Sequence, residues 1–152
     1  MEIQTLDTAG INLIAGFEGC VLHPYLDQVG IPTIGIGMTY YPSTGAKVKM
    51  TDQEITQQQA NDMFAQMVKP FELAVYSVTR HDLTQNQFNA LVSFAYNIGI
   101  GGFKGSTVLK MVNNNVLGKP LADAFMMWNK AGGKVIGALS NRRAKEFDTY
   151  MS

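Results

Sequence analysis

The first apolar side chains of the sequence recur at the spacing of a helix that has one buried face. Thr5, Asp7 or Thr8 can cap the start of this helix, and Gly19 is suited to a left-handed cap after its end. The pattern therefore predicts an N-terminal helix that ends at Glu18. Its apolar positions are Leu6, Ile11, Leu13, Ile14 and Phe17.

The next stretch differs in composition, because residues 21–41 are rich in glycine, proline and β-branched or aromatic side chains. This composition predicts a small β-hairpin. Thr51 and Glu54 then form a capping-box pattern that predicts the start of a long helix. Pro70 predicts that this helix ends or kinks near Lys69.

The remainder of the chain has helical patterns. Three helices are predicted to begin at Thr84, Ser106 and Lys119, and a last helix is predicted to be capped by Ser140 or Asn141. The first of them carries the apolar stripe of a core-facing helix. Together these patterns predict an α+β fold that is mostly helical.

These elements predict one domain over residues 1–152 with two lobes. The small lobe covers about 18–50, a connecting helix about 51–69, and the helical lobe about 70–152 together with the N-terminal helix. A cleft between two lobes is a favoured place for a ligand.

The charge balance limits the classes of function. Twelve basic side chains match twelve acidic ones, so the formal net charge is zero. A protein that binds nucleic acid normally shows a basic excess or stripe, so this balance argues against that class. The hydrophobic content of 46% is enough to bury a sizeable core.

The N-terminal residues lack the basic and apolar regions of a signal peptide, and the longest largely apolar stretch, residues 90–103, is too short to span a bilayer. We therefore expect a soluble protein made in the cytosol, without stable membrane insertion. Cys20 is the single cysteine, so it cannot form a disulfide within the chain. We expect its thiol to be buried or half-buried and inert.

Two acids and a threonine, Glu18, Asp27 and Thr33, lie close together in the sequence. Cutting a glycosidic bond with inversion needs a protonated carboxyl that gives a proton to the leaving oxygen and a carboxylate that activates a water on the opposite face. This segment can supply both groups and a hydroxyl to hold the water. An arbitrary pair of acids near a turn is more often solvated surface, so the setting of these acids decides between the two interpretations.

The surroundings of the two acids differ. Glu18 stands at the negative end of the predicted helix beside Phe17 and Ile14, and both effects disfavour its charged form. Asp27 lies in a polar turn with Gly30, where water should reach it and keep it ionised. This division of environments suits one general acid and one base.

Arg142 and Arg143 leave two alternatives open. They can belong to an ordinary solvated helix face, or a guanidinium there can hold Glu18 or bind a substrate carboxylate in the cleft. The two histidines, His23 and His81, have no partner at metal-ligand spacing, so we expect no metal and no cofactor.

Motifs along nearly the whole chain resemble the phage-type lysozymes, or endolysins, of glycoside hydrolase family 24. The spacing of the two acids and the threonine is the most specific of these motifs. The other matching segments are FEG at 17–19, TIGIG at 33–37, QFNALVSFAYNIG at 87–99, GGFKGSTVLK at 101–110, WNKAGG at 128–133 and NRRAKE at 141–146.

The resemblance implies a lysozyme-like fold in which a small β-hairpin lobe and a larger helical lobe flank a cleft. It implies cleavage of the β-1,4 bond between N-acetylmuramic acid and N-acetylglucosamine in bacterial peptidoglycan, for lysis of the host cell. Glu18 is then the acid, Asp27 positions or activates water, and Thr33 is the hydroxyl behind that water. The two carboxyls of such an inverting site are about 6.5–9.5 Å apart.

The resemblance also implies positions that bind substrate. Tyr96, Ser106 and Thr39 match cleft-lining positions of the family. Arg142 matches the arginine that some members place near the acid, although Arg143 is one alignment step away.

One position departs from the family pattern. A histidine commonly follows the TIGIG motif, and Met38 stands there in this chain. We therefore expect the first lobe to be held by packing at this position, with the chemistry unaffected.

Peptidoglycan is the partner that the family implies. A holin-type partner is expected to release the enzyme from the host cytoplasm to the wall in the periplasm, and we expect a monomer. Two alternatives stay open. One is a lytic transglycosylase, which needs the acid but leaves a 1,6-anhydro sugar, and the other is a non-catalytic module that binds peptidoglycan.

Overall fold

The computed structural model describes residues 2–152, which form a mostly helical chain with two small antiparallel hairpins. This confirms the predicted α+β class. The chain divides into two compact units, one of Ile14–Lys69 and one formed by the residues up to Leu13 together with Pro70–Ser152. The assignment of both units to a single domain with the lobe limits given above stays a prediction.

Helix α1 covers Thr8–Glu18, as the apolar pattern predicts. Of the three candidate caps Asp7 is the one used, because its Oδ1 accepts a hydrogen bond from the amide of Gly10 at 3.0 Å. Gly19 follows with a φ of 76°. The predicted left-handed cap after Glu18 is therefore confirmed.

The predicted hairpin is confirmed in the Ile14–Lys69 unit. Strands β1 (Val21–Leu26) and β2 (Pro32–Gly35) pair antiparallel. The Gly30 amide donates to the Asp27 carbonyl at 3.0 Å and closes the turn between the strands. A φ of 82° at position 30 explains why a glycine stands there.

Met38 belongs to the apolar core of the same unit. Its side chain is fully buried, and its backbone forms a bridge with Ile34. The position where the family commonly has a histidine is therefore held by packing, as expected. The buried hydrophobic residues of the unit are Ile14, Ile34, Ile36, Met38, Val48, Ala60, Phe64 and Val68.

Helix α2 covers Gln57–Val78, so the predicted start is wrong and the helix does not end at Lys69, while a kink near Pro70 stays a prediction. The capping box at its start is formed by Thr56 and Gln59. The Thr56 Oγ1 accepts from the Gln59 amide at 3.1 Å, and the Thr56 amide donates to Gln59 Oε1 at 2.8 Å. The helix also continues through Pro70. The cost of an interior proline is offset there by continued burial of the helix, since Ala74 and Val75 lie in the core.

Other contacts hold the segment before α2 outside a helix. The Asp52 Oδ2 accepts from the Tyr41 hydroxyl at 2.8 Å and from the Lys49 amide at 2.9 Å. The Ile55 amide donates to the Leu22 carbonyl at 2.8 Å. These bonds fix the backbone of the segment in a turn and an extended stretch, so the helix cannot begin at the earlier capping-box sequence.

The second unit is built from helices and one very short hairpin. The predicted caps at Thr84 and Ser106 are confirmed, and Pro120 lies in the first turn of α6 as predicted. The last helix begins earlier than its predicted caps, and Ile136 before it offers no side-chain cap. The elements are α3 (Gln85–Ile98), α4 (Ile100–Lys104), α5 (Thr107–Asn113), α6 (Lys119–Met126), β3 (Lys130–Ala131), β4 (Lys134–Val135) and α7 (Gly137–Met151).

Cys20 is exposed, so the expectation of a buried or half-buried thiol is wrong. The residue lies between the end of α1 and the start of β1, where the chain has left the helix and its core-facing side. Its Sγ lies 3.6 Å from Nε2 of Gln57.

Two features are absent from residues 2–152. No helix in this range combines the length and the apolar character needed to cross a bilayer. No three His, Cys, Asp or Glu side chains in the range are grouped so that they could hold a metal ion.

Candidate active site

Glu18, Asp27 and Thr33 all belong to the Ile14–Lys69 unit. Glu18 is the last residue of α1 and is half-buried. The TIGIG segment passes close to it, because a Cβ added at Gly37 would lie 3.7 Å from Glu18 Cβ and 3.8 Å from Glu18 Oε2. The end of the helix thus presents the Glu18 carboxyl to a backbone segment that has no side chain at the point of contact.

The Asp27 carboxylate is fixed by the turn that it opens. Its Oδ1 accepts from the amides of Val29 and Ile31, both at 2.9 Å. Among residues 2–152, no protein group donates a hydrogen bond to Oδ2. The turn therefore orients the carboxylate and leaves Oδ2 able to accept a hydrogen bond from water.

Thr33 is buried, with 3% of its surface exposed. Its hydroxyl donates to the Ile31 carbonyl at 2.9 Å. Since the hydroxyl proton is committed to this bond, Oγ1 can meet a water molecule as an acceptor.

Ile31 joins the two side chains, and the sequence pattern did not single it out. Its amide holds Asp27 and its carbonyl holds Thr33. Gly37 lies in the TIGIG motif, and the glycine itself is the feature of the sequence that marks this position. Ile31 acts through its main chain, so its side chain does not mark it in the sequence.

A groove of about 700 Å³ lies in the same unit, and Ile31 is one of the residues that line it. We call it the hairpin groove. Thr39, which the resemblance places in the cleft, is half-buried and is one of its walls. The residues lining the groove include Ile31, Pro32, Thr39, Tyr40, Lys47 and Val48.

Arg142 belongs to the other unit and is 5% exposed. Its Nε donates to Glu146 Oε2 at 3.1 Å, and its Nη2 donates to the Ser93 carbonyl at 3.1 Å. Arg143 is fully buried, with its Nε 2.8 Å from Glu146 Oε1 and its guanidinium over the ring of Phe94. The solvated-face alternative is therefore wrong for both arginines, and the role of Arg142 near the acid stays a prediction.

Burial governs the electrostatics of this arginine cluster. It raises the pKa of Glu146, and the charges of Arg143 and Arg142 act against that rise. Burial also lowers the pKa of Arg143, while the nearby Glu146 carboxylate acts in the opposite direction. A buried carboxylate between two guanidinium groups is a structural anchor between α7 and α3, where Ser93 also donates to it at 2.6 Å.

The two remaining substrate-binding candidates also lie in the second unit. The ring of Tyr96 is half-buried and lies 4.9 Å from the ring of Phe71. Ser106 is buried, and its hydroxyl donates to the Phe103 carbonyl at 2.7 Å and accepts from the Leu109 amide at 3.1 Å as the cap of α5. Contact of either residue with substrate stays a prediction.

Comparison with known proteins places the chain in a family. A family model described as phage lysozyme matches residues 15–146. The endolysin of Bacillus phage PZA is 43% identical over 141 residues, which are 93% of this chain and 53% of that protein, so the chain spans about half the length of that relative. The endolysin of Salmonella phage P22 is 35% identical over 150 residues, which are 99% of this chain and 100% of that protein.

The fold agrees with a solved relative. The structure of the endolysin from Escherichia coli O157:H7 phage FAHEc1 superposes with a TM-score of 0.89 at 37% identity, covering 100% of this chain and 97% of that one. This likeness confirms the lysozyme-like fold that the sequence motifs imply. The chain belongs to the phage lysozyme family.

Proposed function

We propose that this protein hydrolyses the β-1,4 bond between N-acetylmuramic acid and N-acetylglucosamine in bacterial peptidoglycan. The observation that carries the proposal is the shared support of Asp27 and Thr33 by the main chain of Ile31, in the unit where α1 ends at Glu18. Membership of the phage lysozyme family supports the same activity.

Each group has a role in the reaction. The Glu18 carboxyl donates its proton to the glycosidic oxygen as the bond to C1 of muramic acid breaks. A water held by Thr33 Oγ1 gives a proton to Asp27 Oδ2 and attacks C1 from the opposite face, so the product has inverted configuration. Proton exchange with solvent then returns Glu18 to its acid form and Asp27 to its carboxylate form.

Replacement of the acid tests the proposal. We expect the wild-type protein to release reducing ends from purified cell walls, and Glu18→Gln to lower the rate by about 10²–10⁴, the usual contribution of a general acid. Circular dichroism of the variant establishes that it is folded. A folded Glu18→Gln protein with an unchanged rate would remove Glu18 from the mechanism.

Product analysis separates hydrolysis from the transglycosylase alternative. A hydrolase leaves a hydrated reducing muramic acid, and a lytic transglycosylase leaves the 1,6-anhydro sugar, which is lighter by one water. The Asp27 carboxylate is fixed through Oδ1, and no group within residues 2–152 donates to its Oδ2, which supports delivery of water and therefore hydrolysis. Binding to walls without any turnover would favour the non-catalytic module instead.

The proposal extends to the path of the enzyme during lysis. The enzyme acts as a monomer and passes from the host cytoplasm to the wall with the help of a holin-type membrane protein. The support is the likeness to phage proteins named endolysins. Culture turbidity after expression with and without such a partner tests the release step.

A further inference from the structure

We propose that the hairpin groove binds the stem peptide of peptidoglycan and that the ammonium of Lys47 pairs with a carboxylate of that peptide. This inference rests on the proposed function and deepens it, since it names the part of the substrate that lies beside the cleaved glycan.

The groove and the candidate active site share Ile31. The main chain of Ile31 holds Asp27 and Thr33, and the same residue lines the groove. Pro32, which directly precedes Thr33, lines it as well. In peptidoglycan the stem peptide is attached to the muramic acid whose C1 is attacked. A substrate placed for reaction at Asp27 therefore carries its peptide on the sugar nearest to the groove.

The chemistry of the groove walls suits a peptide better than a sugar chain. Ile31 and Tyr40 are 46% and 41% exposed, which is high for large apolar side chains, and Val48 forms a buried apolar wall. A sugar chain presents hydroxyls that require many polar partners, whereas a stem peptide presents alanine methyl groups between its amides. The groove volume of about 700 Å³ lies within the usual range for sites that take small ligands.

One positive charge stands at this groove. Tyr40 and Lys47 are opposite each other in an antiparallel bridge, so their side chains lie on the same face. Lys47 is exposed, and within residues 2–152 its ammonium forms no ion pair with a carboxylate. The chain has no net charge to attract an anionic wall, so a local cation of this kind supplies the attraction. Stem peptides carry free carboxylates that match it.

Steady-state kinetics on two substrates tests the inference. One substrate is soluble glycan strands with intact stem peptides, and the other is the same strands after an amidase has removed the peptides. We expect Lys47→Gln to raise KM about three- to fivefold on the first substrate, the effect of an exposed ion pair, with kcat unchanged. KM on the peptide-free strands should not change.

Two further variants serve as controls. Lys47→Arg keeps the charge and should keep the wild-type KM. Lys69→Gln removes an exposed lysine of the same unit that does not line the groove, and it should also leave KM unchanged. The increase caused by Lys47→Gln should shrink at high salt, because exposed charges are screened.

An unchanged KM of Lys47→Gln on the peptide-bearing strands would overturn the inference. An equal increase on both substrates would overturn it as well, because it would assign the groove to the glycan. A wild-type protein that cleaves neither substrate would overturn the proposed function instead. Binding in the groove is tested separately from cleavage. A disaccharide tetrapeptide is titrated into Glu18→Gln protein, and the amide chemical shifts of the protein are recorded. Shifts at Tyr40 and Lys47 are expected, and their absence would reject the groove as the peptide site.

Discussion

At the scale of single residues, replacement of Gly37 would place a new side-chain atom beside the candidate acid. Its φ of 65° is left-handed, which costs a residue with a Cβ about 1 kcal/mol or more. The added Cβ would also lie in ordinary van der Waals contact with Glu18, 3.7 Å from its Cβ and 3.8 Å from its Oε2, and would restrict the space beside the carboxyl. We expect Gly37→Ala to lower the free energy of unfolding by about 1 kcal/mol and to reduce the rate of wall hydrolysis, measured by urea unfolding and reducing-end release.

Gly133 provides a matched control for this substitution. Its φ of 79° is also left-handed, but a Cβ there would meet no atom within 4 Å. Gly133→Ala should therefore lose a similar amount of stability and keep the full rate. Equal rates for the two variants would show that contact with Glu18 does not limit catalysis.

The site also shows which residues a sequence can reveal. Glu18, Asp27 and Thr33 can be singled out from the sequence because in the proposed reaction each acts through a functional group of its own side chain. Ile31 acts through an amide and a carbonyl, which almost every residue carries, so only the turn geometry identifies it. The positions of side chains can thus be predicted from spacing, and the main-chain groups that orient them cannot.

At the scale of elements, two capping-box sequences stand in tandem before α2. Thr51 with Glu54 and Thr56 with Gln59 have the same spacing, and the second pair forms the cap. The local pattern cannot choose between them. The choice is made by the tertiary bonds of Asp52 and Ile55, which hold the first pair outside the helix.

Removing each threonine should reveal the functional cap. We expect Thr56→Ala to lower the free energy of unfolding by about 1 kcal/mol, because the Gln59 amide loses its acceptor. Thr51→Ala should change it by less than about 0.5 kcal/mol. Denaturant titration of both variants measures the difference, and a larger loss for Thr51→Ala would contradict the start of the helix at Gln57.

At the scale of the whole molecule, most helices follow from the local sequence, while the burial of charge does not. For Arg142 and Arg143 the sequence leaves a solvated helix face and a role in the cleft as alternatives, and it gives no sign that Glu146 is buried with them. Their charges pair with each other, and α3, which is distant in sequence, supplies further partners. Ser93 bonds Glu146 and Arg142, and Asn97 accepts from Arg143. Such partners become visible only when α3 and α7 are seen packed together.

The pH dependence of stability is a further property of the whole chain. The Lys49 amide and the Tyr41 hydroxyl lower the pKa of Asp52 in the folded state. Since the unfolded pKa is about 3.9, the stabilisation from Asp52 is fully present above that pH and is lost as the pH falls through the lower, folded value. We expect wild type to exceed Asp52→Asn in free energy of unfolding at pH 7, with a gap that narrows below about pH 4.

Tyr41→Phe gives the companion measurement. Burial and the bond to Asp52 raise the pKa of Tyr41 to about 12. The contribution of the Tyr41 hydroxyl to the stability of the fold is therefore present below about pH 10 and is lost as the pH rises through about 12. Tyr41→Phe removes only the bond from the tyrosine hydroxyl, since Asp52 still accepts from the Lys49 amide. If wild type and Asp52→Asn differed in free energy of unfolding by the same amount at pH 3 and at pH 7, the lowered pKa of Asp52 would not contribute to stability.

Because Ile31 supports Asp27 and Thr33 through main-chain atoms alone, exchange of its side chain leaves that support in place. We therefore expect residue 31 to tolerate other side chains without loss of the proposed wall hydrolysis. Proline is the exception, since it has no amide hydrogen for the aspartate to accept.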